Sequence, residues 1–325
     1  MSIEHNPPVT WLMAVRDGMP FLPQTLASIE AQTYPHHCIL VWDNGSTDGT
    51  LEELAKWIPS RLAGTIIADN PLRLGASRAA LVNLARTEFC AWSDADDLSH
   101  PERIAKQVSY LQKNPDAVLV GSLIETIDDL GNPHPWSWDA PLDDAEIRWA
   151  TRWTPKTLQG ASLFRRSKMI EAGNYRDNKP IEDHDLLMRL SLLGRMPNYP
   201  EALFKYRRHG TSITTNVADH FLQYRTCALL NANILFPGFS PEQAMYLWDQ
   251  VAHLNSNEPA KPSDLFLLWR GAKALAAAVG ESPSYFRSNA FFNEQEYHLK
   301  RRLLQSLGLG GLWRFRQTLS RITQK

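Results

Sequence analysis

Up to about Asn114 the chain alternates short β-rich apolar runs with stretches whose apolar residues recur at helical spacing. That alternation predicts parallel strands in a sheet covered on both faces by helices. Val9 to Val15 reads as the first strand, and Phe21, Leu22, Thr25, Leu26 and Ile29 follow at helical spacing behind Pro20. Cys38 to Trp42 predicts a second strand, Leu51, Leu54 and Ile58 mark a helix, and Thr65 to Ala68 supplies a third strand. A fourth is expected from Phe89 to Ser93. Ser99 and Glu102 then form a capping-box pattern ahead of Ile104, Val108 and Leu111. This is the pattern of an α/β nucleotide-binding architecture, in which ligands sit outside the carboxyl ends of the strands.

Past this point the alternation is less regular. Ala117 to Ile127 and Gln159 to Phe164 read as strands, with a helix near Asp143 to Arg152 between them. Helices are expected from Arg166 to Ala172, ended by Gly173, and from Asp183 to Leu193, ended by Gly194. Ala202 to Tyr206 would close the sheet. Beyond about Thr215 helical patterns take over, so residues 215–325 read as a helical extension to a first unit of residues 1–214.

The chain has 325 residues, 43% of them hydrophobic and 21% charged, enough for a substantial core and unlike disordered or fibrous compositions. Its 34 Lys and Arg against 35 Asp and Glu give no charge argument for a nucleic-acid partner. Cys38, Cys90 and Cys227 lack metal-type spacing and suit a reducing cytoplasm. Met1 to Pro8 has no signal-peptide pattern and no apolar run reaches membrane-spanning length, so the expectation is a cytoplasmic protein, soluble or peripherally attached.

Asp94-Ala95-Asp96-Asp97 follows the fourth strand and places three carboxylates on a strand-to-helix loop. Hard oxygen ligands of this kind suit Mg2+ or Mn2+, which keep open positions for water and phosphate oxygens. An isolated Asp-x-Asp is more often a solvated turn, so the rest of the chain must decide. Asp43 to Asp48 follows the second strand, where a carboxylate can accept a base N–H or build a turn. Gly75-Ala76-Ser77-Arg78 opens a helix, where amides and a guanidinium can receive phosphate, although a surface helix charge explains Arg78 as well. Glu182-Asp183-His184-Asp185 opens the helix carrying Leu186, Leu187, Leu190 and Leu193. A carboxylate fixed there can serve as a general base, and acids at a helix N-terminus are also favoured by the dipole alone. His209 offers a metal or phosphate ligand, or an ordinary surface histidine.

Taken in order, these segments resemble the inverting nucleotide-sugar glycosyltransferases of the GT-A fold, glycosyltransferase family 2, over about Val9 to Ser212. Met13 to Gly18 resembles the family's opening strand and loop, Ser28 to Pro35 the next helix end, and Asp43 to Asp48 the nucleobase-binding turn. Asp94 to Asp97 resembles its metal motif, Glu182 to Leu186 the segment with the catalytic base, and Tyr206 to His209 the closing strand.

The resemblance implies a GT-A mixed α/β sheet flanked by helices, with residues 1–214 as the catalytic domain. It also implies donor contacts at Val15, Asp17, Asp43, Arg78, Asp94 and Asp96, and a metal held by Asp96 and Asp94 with His209 as a further ligand. Asp183 would be the base, and Glu182, Gly160 and Trp136 would border the acceptor. Asn44 stands where a second Asp is common, and Ala79 where Asn is common. The implied reaction moves a sugar from a nucleoside-diphosphate sugar, UDP-sugar first, to a glycan or lipid-linked acceptor in cell-surface polysaccharide synthesis.

Two other readings compete. A sugar nucleotidyltransferase would need a Gly-rich basic loop where this chain has Arg16-Asp17-Gly18-Met19, and an inactive nucleotide-sugar binding module would have no need of Asp94, Asp96 and Asp183. Trp136, Trp138, Trp149 and Trp153 can stack on sugar or pack a core. The tail sets Leu312, Phe315, Leu319 and Ile322 opposite Arg314, Arg321 and Lys325, a pattern suited to an anionic membrane face or to packing on the catalytic unit.

Overall fold

Val9–Val15 forms β1 in the computed structural model, which describes residues 6–68, 70–138, 140–177, 181–210, 220–252, 260–282 and 284–307. Every residue of β1 except Ala14 is buried. The strand pairs in parallel with β2 (His37–Asp43) on one side and β4 (Phe89–Trp92) on the other, and β2 pairs in parallel with β3 (Gly64–Ile67). A central strand with helices on both faces has no polar side, which is why its sequence is a continuous apolar run.

Alternate residues of β1 feed two cores. Val9, Trp11, Met13 and Val15 pack with Leu22 and Leu26 of α1 (Leu22–Glu30), Leu54 of α2 (Thr50–Trp57) and Ile104 and Val108 of α4 (Arg103–Lys113). Leu12 faces the other way, toward Leu81 of α3 (Leu74–Leu84), Met169 of α6 (Arg166–Glu171) and Leu186, Leu187 and Leu190 of α7 (Glu182–Leu190).

Among the described residues the sheet order is β3-β2-β1-β4-β7-β6-β8-β5, with β5 at Leu98–Ser99, β6 at Leu119–Ile127, β7 at Leu163–Arg165 and β8 at Asn198–Arg207. β7 runs antiparallel to β4 and β6, β8 is parallel to β6, and β5 is antiparallel to β8. The expected mixed sheet flanked by helices is what forms. After β3 the chain crosses to the far side of β1, so the carboxyl ends of β1 and β4 open a crevice at the point where strand order reverses.

Two local expectations are corrected. The strand expected from Gln159 begins only at Leu163, because Ala161 and Ser162 donate backbone bonds to Leu158 and Gln159 and fold residues 159–162 into a turn. Ser99 does not cap α4. It pairs with Phe204 as part of β5, and α4 starts at Arg103 with no side-chain bond from Glu102.

The helices α8 (His220–Leu230), α9 (Ala232–Leu235), α10 (Pro241–Ala252), α11 (Pro262–Ala278) and α12 (Ala290–Ser306) follow. They share one apolar cluster with Trp149 of α5 (Asp144–Ala150), Trp153 and Met188 of α7. The helical extension therefore shares a core with the sheet-bearing part. Asp185 strengthens the junction: it is fully buried and accepts from Arg176, Arg189 and Asn231. Thr215, where the helical character was expected to begin, and the basic tail from Gly308 onward lie outside the described residues. No helix among the described residues is long and apolar enough to cross a membrane.

Candidate active site

Two loops leave the carboxyl edge of the sheet side by side, one after β1 and one after β2, and are laced together by their own polar groups. Asp17 accepts from the Thr47 amide at 2.8 Å, while its own amide donates to Ser46 Oγ. Asp48 accepts from the Met19 amide, and Thr50 Oγ1 accepts from the Gly18 amide. Asp17 holds this position at φ 53°, which an Asp tolerates better than a branched residue. The buried Asp43 uses both carboxylate oxygens inside its turn, accepting from the amides of Gly45 and Ser46 and from Ser46 Oγ. Asn44 is equally committed, accepting from the Leu72 amide and donating to Ser77 Oγ. Val15 supports this loop from below, its carbonyl accepting from the Asn44 amide.

Asp94 follows β4 after Ser93 and faces Arg78, with Oδ1 at 3.4 Å from the guanidinium. Arg78 is buried on α3, not displayed on its surface, and its other terminal nitrogen is paired with Glu182. Gln159 completes the ring around it. With its amide oriented so that every donor meets an acceptor, its carbonyl accepts from Arg78 Nε at 3.1 Å and its NH2 donates to Tyr175 Oη at 2.8 Å. Crowding by protein raises the Asp94 carboxyl, Arg78 opposes this, and Asp96 and Asp183 add to it. Glu182 is raised in the same way by burial, against Arg78 and with Asp183. Desolvation works against the Arg78 charge, yet Glu182 and Asp94 hold its pKa above the ordinary value.

Asp96 Oδ2 lies 2.9 Å from His209 Nε2, and the imidazole stacks beside Phe21 with ring centroids 4.5 Å apart. Asp97 points inward, accepts from the Arg207 amide at 2.7 Å and is buried. Burial raises its carboxyl well above the usual range, Asp96 and Asp94 add to this, and Arg207 opposes it. The Arg207 guanidinium secures the loop by donating to the carbonyls of Asp96, Asp128 and Asp129 and to Gln24 Oε1.

Asp183 opens α7 immediately beside Glu182. Its Oδ1 accepts from the His184 amide, and the carboxylate remains partly solvent-accessible. The residue before the pair, Ile181, takes φ 53°, a strained setting for a β-branched side chain of the kind found where a site over-determines its backbone. His184 turns into the core, its Nε2 on the Thr151 carbonyl. A Cβ on Gly160 would meet Asp94 Oδ2 at 3.1 Å and Phe204 at 3.0 Å, so Gly160 lies against the acidic loop. Trp136 is exposed and carries the Arg208 guanidinium over its ring at 4.7 Å. Trp149 and Trp153 are buried in the helical core and cannot stack on a sugar.

Arg103 and Gln107 do organising work that the motif reading missed. Arg103 is fully buried and donates to the carbonyls of Trp92 and Ser162 and to Ser99 Oγ, which ties the end of β4 to the Gln159 turn. Gln107 adds bonds to the carbonyls of Val120, Gly121 and Ala161. A signal existed, since both fall on the stripe of α4 that contains Ile104, Val108 and Leu111. Burial pushes the Arg103 guanidinium down to about 9, with Asp97 and Asp94 opposing.

A divalent cation fits this donor set. Asp96 and His209 bring a carboxylate oxygen and an imidazole nitrogen to one place at the crevice. Among the described residues no group of three or more His, Cys, Asp or Glu side chains converges, here or elsewhere, so phosphate oxygens and water would have to complete the shell. Arg78 is already ion-paired with Glu182 and Asp94, and the Arg207 donors are spent on backbone carbonyls and Gln24, so neither guanidinium is open to bond a diphosphate as placed here.

The sequence pattern of the family described as glycosyl transferase family 2 matches residues 10–173. An uncharacterized glycosyltransferase of Haemophilus influenzae is 31% identical over 235 residues, 67% of this chain and 70% of that one. The amylovoran biosynthesis glycosyltransferase AmsE of Erwinia amylovora is 30% identical over 190 residues, 57% of this chain and 70% of its own. Among solved structures, S. aureus TarS 1-349 in complex with UDP-GlcNAc superposes with a TM-score of 0.61 at 13% identity, covering 90% of this chain and 91% of that one. The mannosyltransferase PcManGT from Pyrobaculum calidifontis, in complex with GDP-Man and Mn2+, gives 0.52 at 17%, covering 93% and 87%. The matched segment contains the strands from β1 to β7, the acidic loop and the Arg78 helix, while α7 and β8 follow it, and the chain belongs to glycosyltransferase family 2, a glycosyltransferase of the GT-A fold.

Proposed function

We propose that the protein transfers a sugar from a nucleoside-diphosphate sugar to an acceptor hydroxyl with inversion at the anomeric carbon. The observation that carries this reading is one crevice at the carboxyl edge of the sheet, which combines the Asp96–His209 pair with Asp94, and Asp94 is linked through Arg78 to the acidic start of α7. On this reading Asp94 and Asp96 serve the donor side and Glu182 and Asp183 the acceptor side, and the Arg78 pairing supports their acting together.

The loops holding Val15, Asp17 and Asp43 would receive the nucleoside, with Asp43 shaping the turn whose backbone faces the base. Asp96 and His209, with Asp94 adjacent, would hold Mg2+ or Mn2+, and the bound cation would supply positive charge to the diphosphate as it departs. Asp183 takes the proton of the acceptor hydroxyl while that oxygen forms its bond to the anomeric carbon. The bond to the diphosphate breaks on the opposite face, and nucleoside diphosphate leaves. Glu182, Gly160 and the exposed Trp136 border the acceptor side. A UDP-sugar is the first donor expected, as TarS is described with UDP-GlcNAc, although PcManGT is described with GDP-Man.

The acceptor we infer is a glycan or lipid-linked intermediate of cell-surface polysaccharide synthesis. The role printed for AmsE supports this, as does the basic amphipathic pattern from Gly308 onward, which would hold the enzyme at the cytoplasmic membrane face. The test is release of nucleoside diphosphate from a panel of nucleotide sugars with and without Mn2+, for wild type and Asp96→Asn. Metal-dependent release by wild type alone supports the transferase. Release of pyrophosphate would favour a nucleotidyltransferase, and donor binding without turnover, even with acceptors present, would favour a binding module.

A further inference from the structure

We infer that Gln159 and Tyr175 are positioning residues for the transfer reaction, acting through Arg78 to keep Asp94 and Glu182 at a fixed separation across the crevice. The inference rests on the function proposed above and adds two side chains to it.

The geometry is closed on every side. Gln159 lies in the turn before β7 and is buried, as is Tyr175, which follows α6. The Gln159 carbonyl accepts from Arg78 Nε at 3.1 Å and from a terminal nitrogen at 3.3 Å, while its NH2 donates to Tyr175 Oη at 2.8 Å. Tyr175 is itself held, its ring edge-on to Trp92 with centroids 5.3 Å apart and its amide donating to Asn174 Oδ1. The same Trp92 ring lies under the Arg78 guanidinium at 5.7 Å.

An arginine has five N–H donors in a rigid fork. Glu182 and Asp94 engage the two terminal nitrogens, and Gln159 takes the inner edge. Without Gln159 that edge would be a buried, unsatisfied donor set, and the fork would be free to rotate toward either carboxylate. It could then keep one of them and release the other. Glu182 adjoins Asp183 in sequence, so such a rotation would disturb the base side and the donor side together.

The test uses the full-length protein and begins with wild-type nucleoside-diphosphate release. Gln159→Leu should lower kcat about tenfold to a hundredfold, the range set by loss of a hydrogen bond to a charged group, with KM for the donor changed much less. Gln159→Glu sets a third carboxylate against Arg78 and removes the NH2 donor to Tyr175, so it should draw the fork from Asp94 and Glu182 and recover little of the loss. Tyr175→Phe should lower kcat in the same direction, and the double variant should be no worse than Gln159→Leu alone, because both act through one guanidinium.

Wild-type kinetics in Gln159→Leu, or losses that multiply in the double variant, would overturn the inference. A silent wild type would refute the proposed function instead. In that case a urea-denaturation cycle between Gln159→Leu and Arg78→Met still decides whether Gln159 holds Arg78: coupled losses support it, and strictly additive losses overturn it.

Discussion

Asp183→Asn keeps the shape of the side chain and its acceptor oxygen for the His184 amide, but removes the basic carboxylate. Transfer should fall by about a hundredfold to ten-thousandfold with donor affinity largely unchanged, as read by steady-state kinetics beside calorimetry. Turnover equal to wild type would remove Asp183 from the mechanism. Gly160→Ala tests the floor of the site, since the new methyl would press on Asp94 and Phe204. Activity should fall well before thermal stability does, whereas equal losses of both would assign Gly160 to packing. At this scale the sequence made the acids legible through the order in which several acidic segments follow strands, since any one of them alone is explained by a solvated turn or a helix start. The turn that takes both Asp43 oxygens is local, made with Gly45 and Ser46, and was one of the two readings open from sequence, whereas the burial of Arg78 was not disclosed because its partner Glu182 lies far along the chain.

Among the elements, α7 has the most to hold together. Its Asp185 is buried between Arg176, Arg189 and Asn231, so Asp185→Ala would strand the Arg189 charge in the interior. The expected cost is about 3–5 kcal/mol, measured by urea denaturation, and a cost under about 1 kcal/mol would mean that water replaces the carboxylate. His184, one residue earlier, is buried with Nε2 on the Thr151 carbonyl, and burial lowers its pKa. The sign follows from linkage: an imidazole kept neutral in the fold contributes stability above its unfolded pKa of about 6.5, and that contribution is lost as pH falls. Stability should therefore decline below about pH 6.5 by up to about 1.4 kcal/mol per pH unit until the folded-state value is passed. A His184→Gln variant that keeps the same acid slope would show that another group is responsible. The periodicity of α7 was readable, but the inward turn of His184 and Asp185 was not, since the acids at its start fit a solvated N-terminus equally well.

For the molecule as a whole, the shared core of α5, α7 and the C-terminal helices predicts that a chain ending near residue 214 will not behave as an independent domain. Trp149, Trp153 and Met188 would lose the partners that bury them. Such a fragment should bind an apolar dye and aggregate, and a monomeric, cooperatively unfolding fragment would contradict this. Deletion after Gly308 is the milder cut. It should reduce binding to anionic vesicles while leaving soluble-donor turnover intact, and unchanged vesicle binding would dismiss the membrane role proposed for the tail.

Sequence alone determined the alternation of the first four strands with helices, the apolar character of β1 and the order of the acidic segments. Each follows from local periodicity or from a polar break after an apolar run, and these survive without knowledge of distant residues. Tertiary structure decided the antiparallel insertion of β7, the loss of the Ser99 cap to a pairing with Phe204, and the burial of Arg78, Arg103 and Arg207. It also decided the union of the C-terminal helices with the catalytic core. The reason is physical: a guanidinium or a tryptophan is placed by whichever carbonyls, carboxylates and apolar faces meet it in space. Gln159 and Glu182 reach Arg78 from opposite sides only after the sheet has closed.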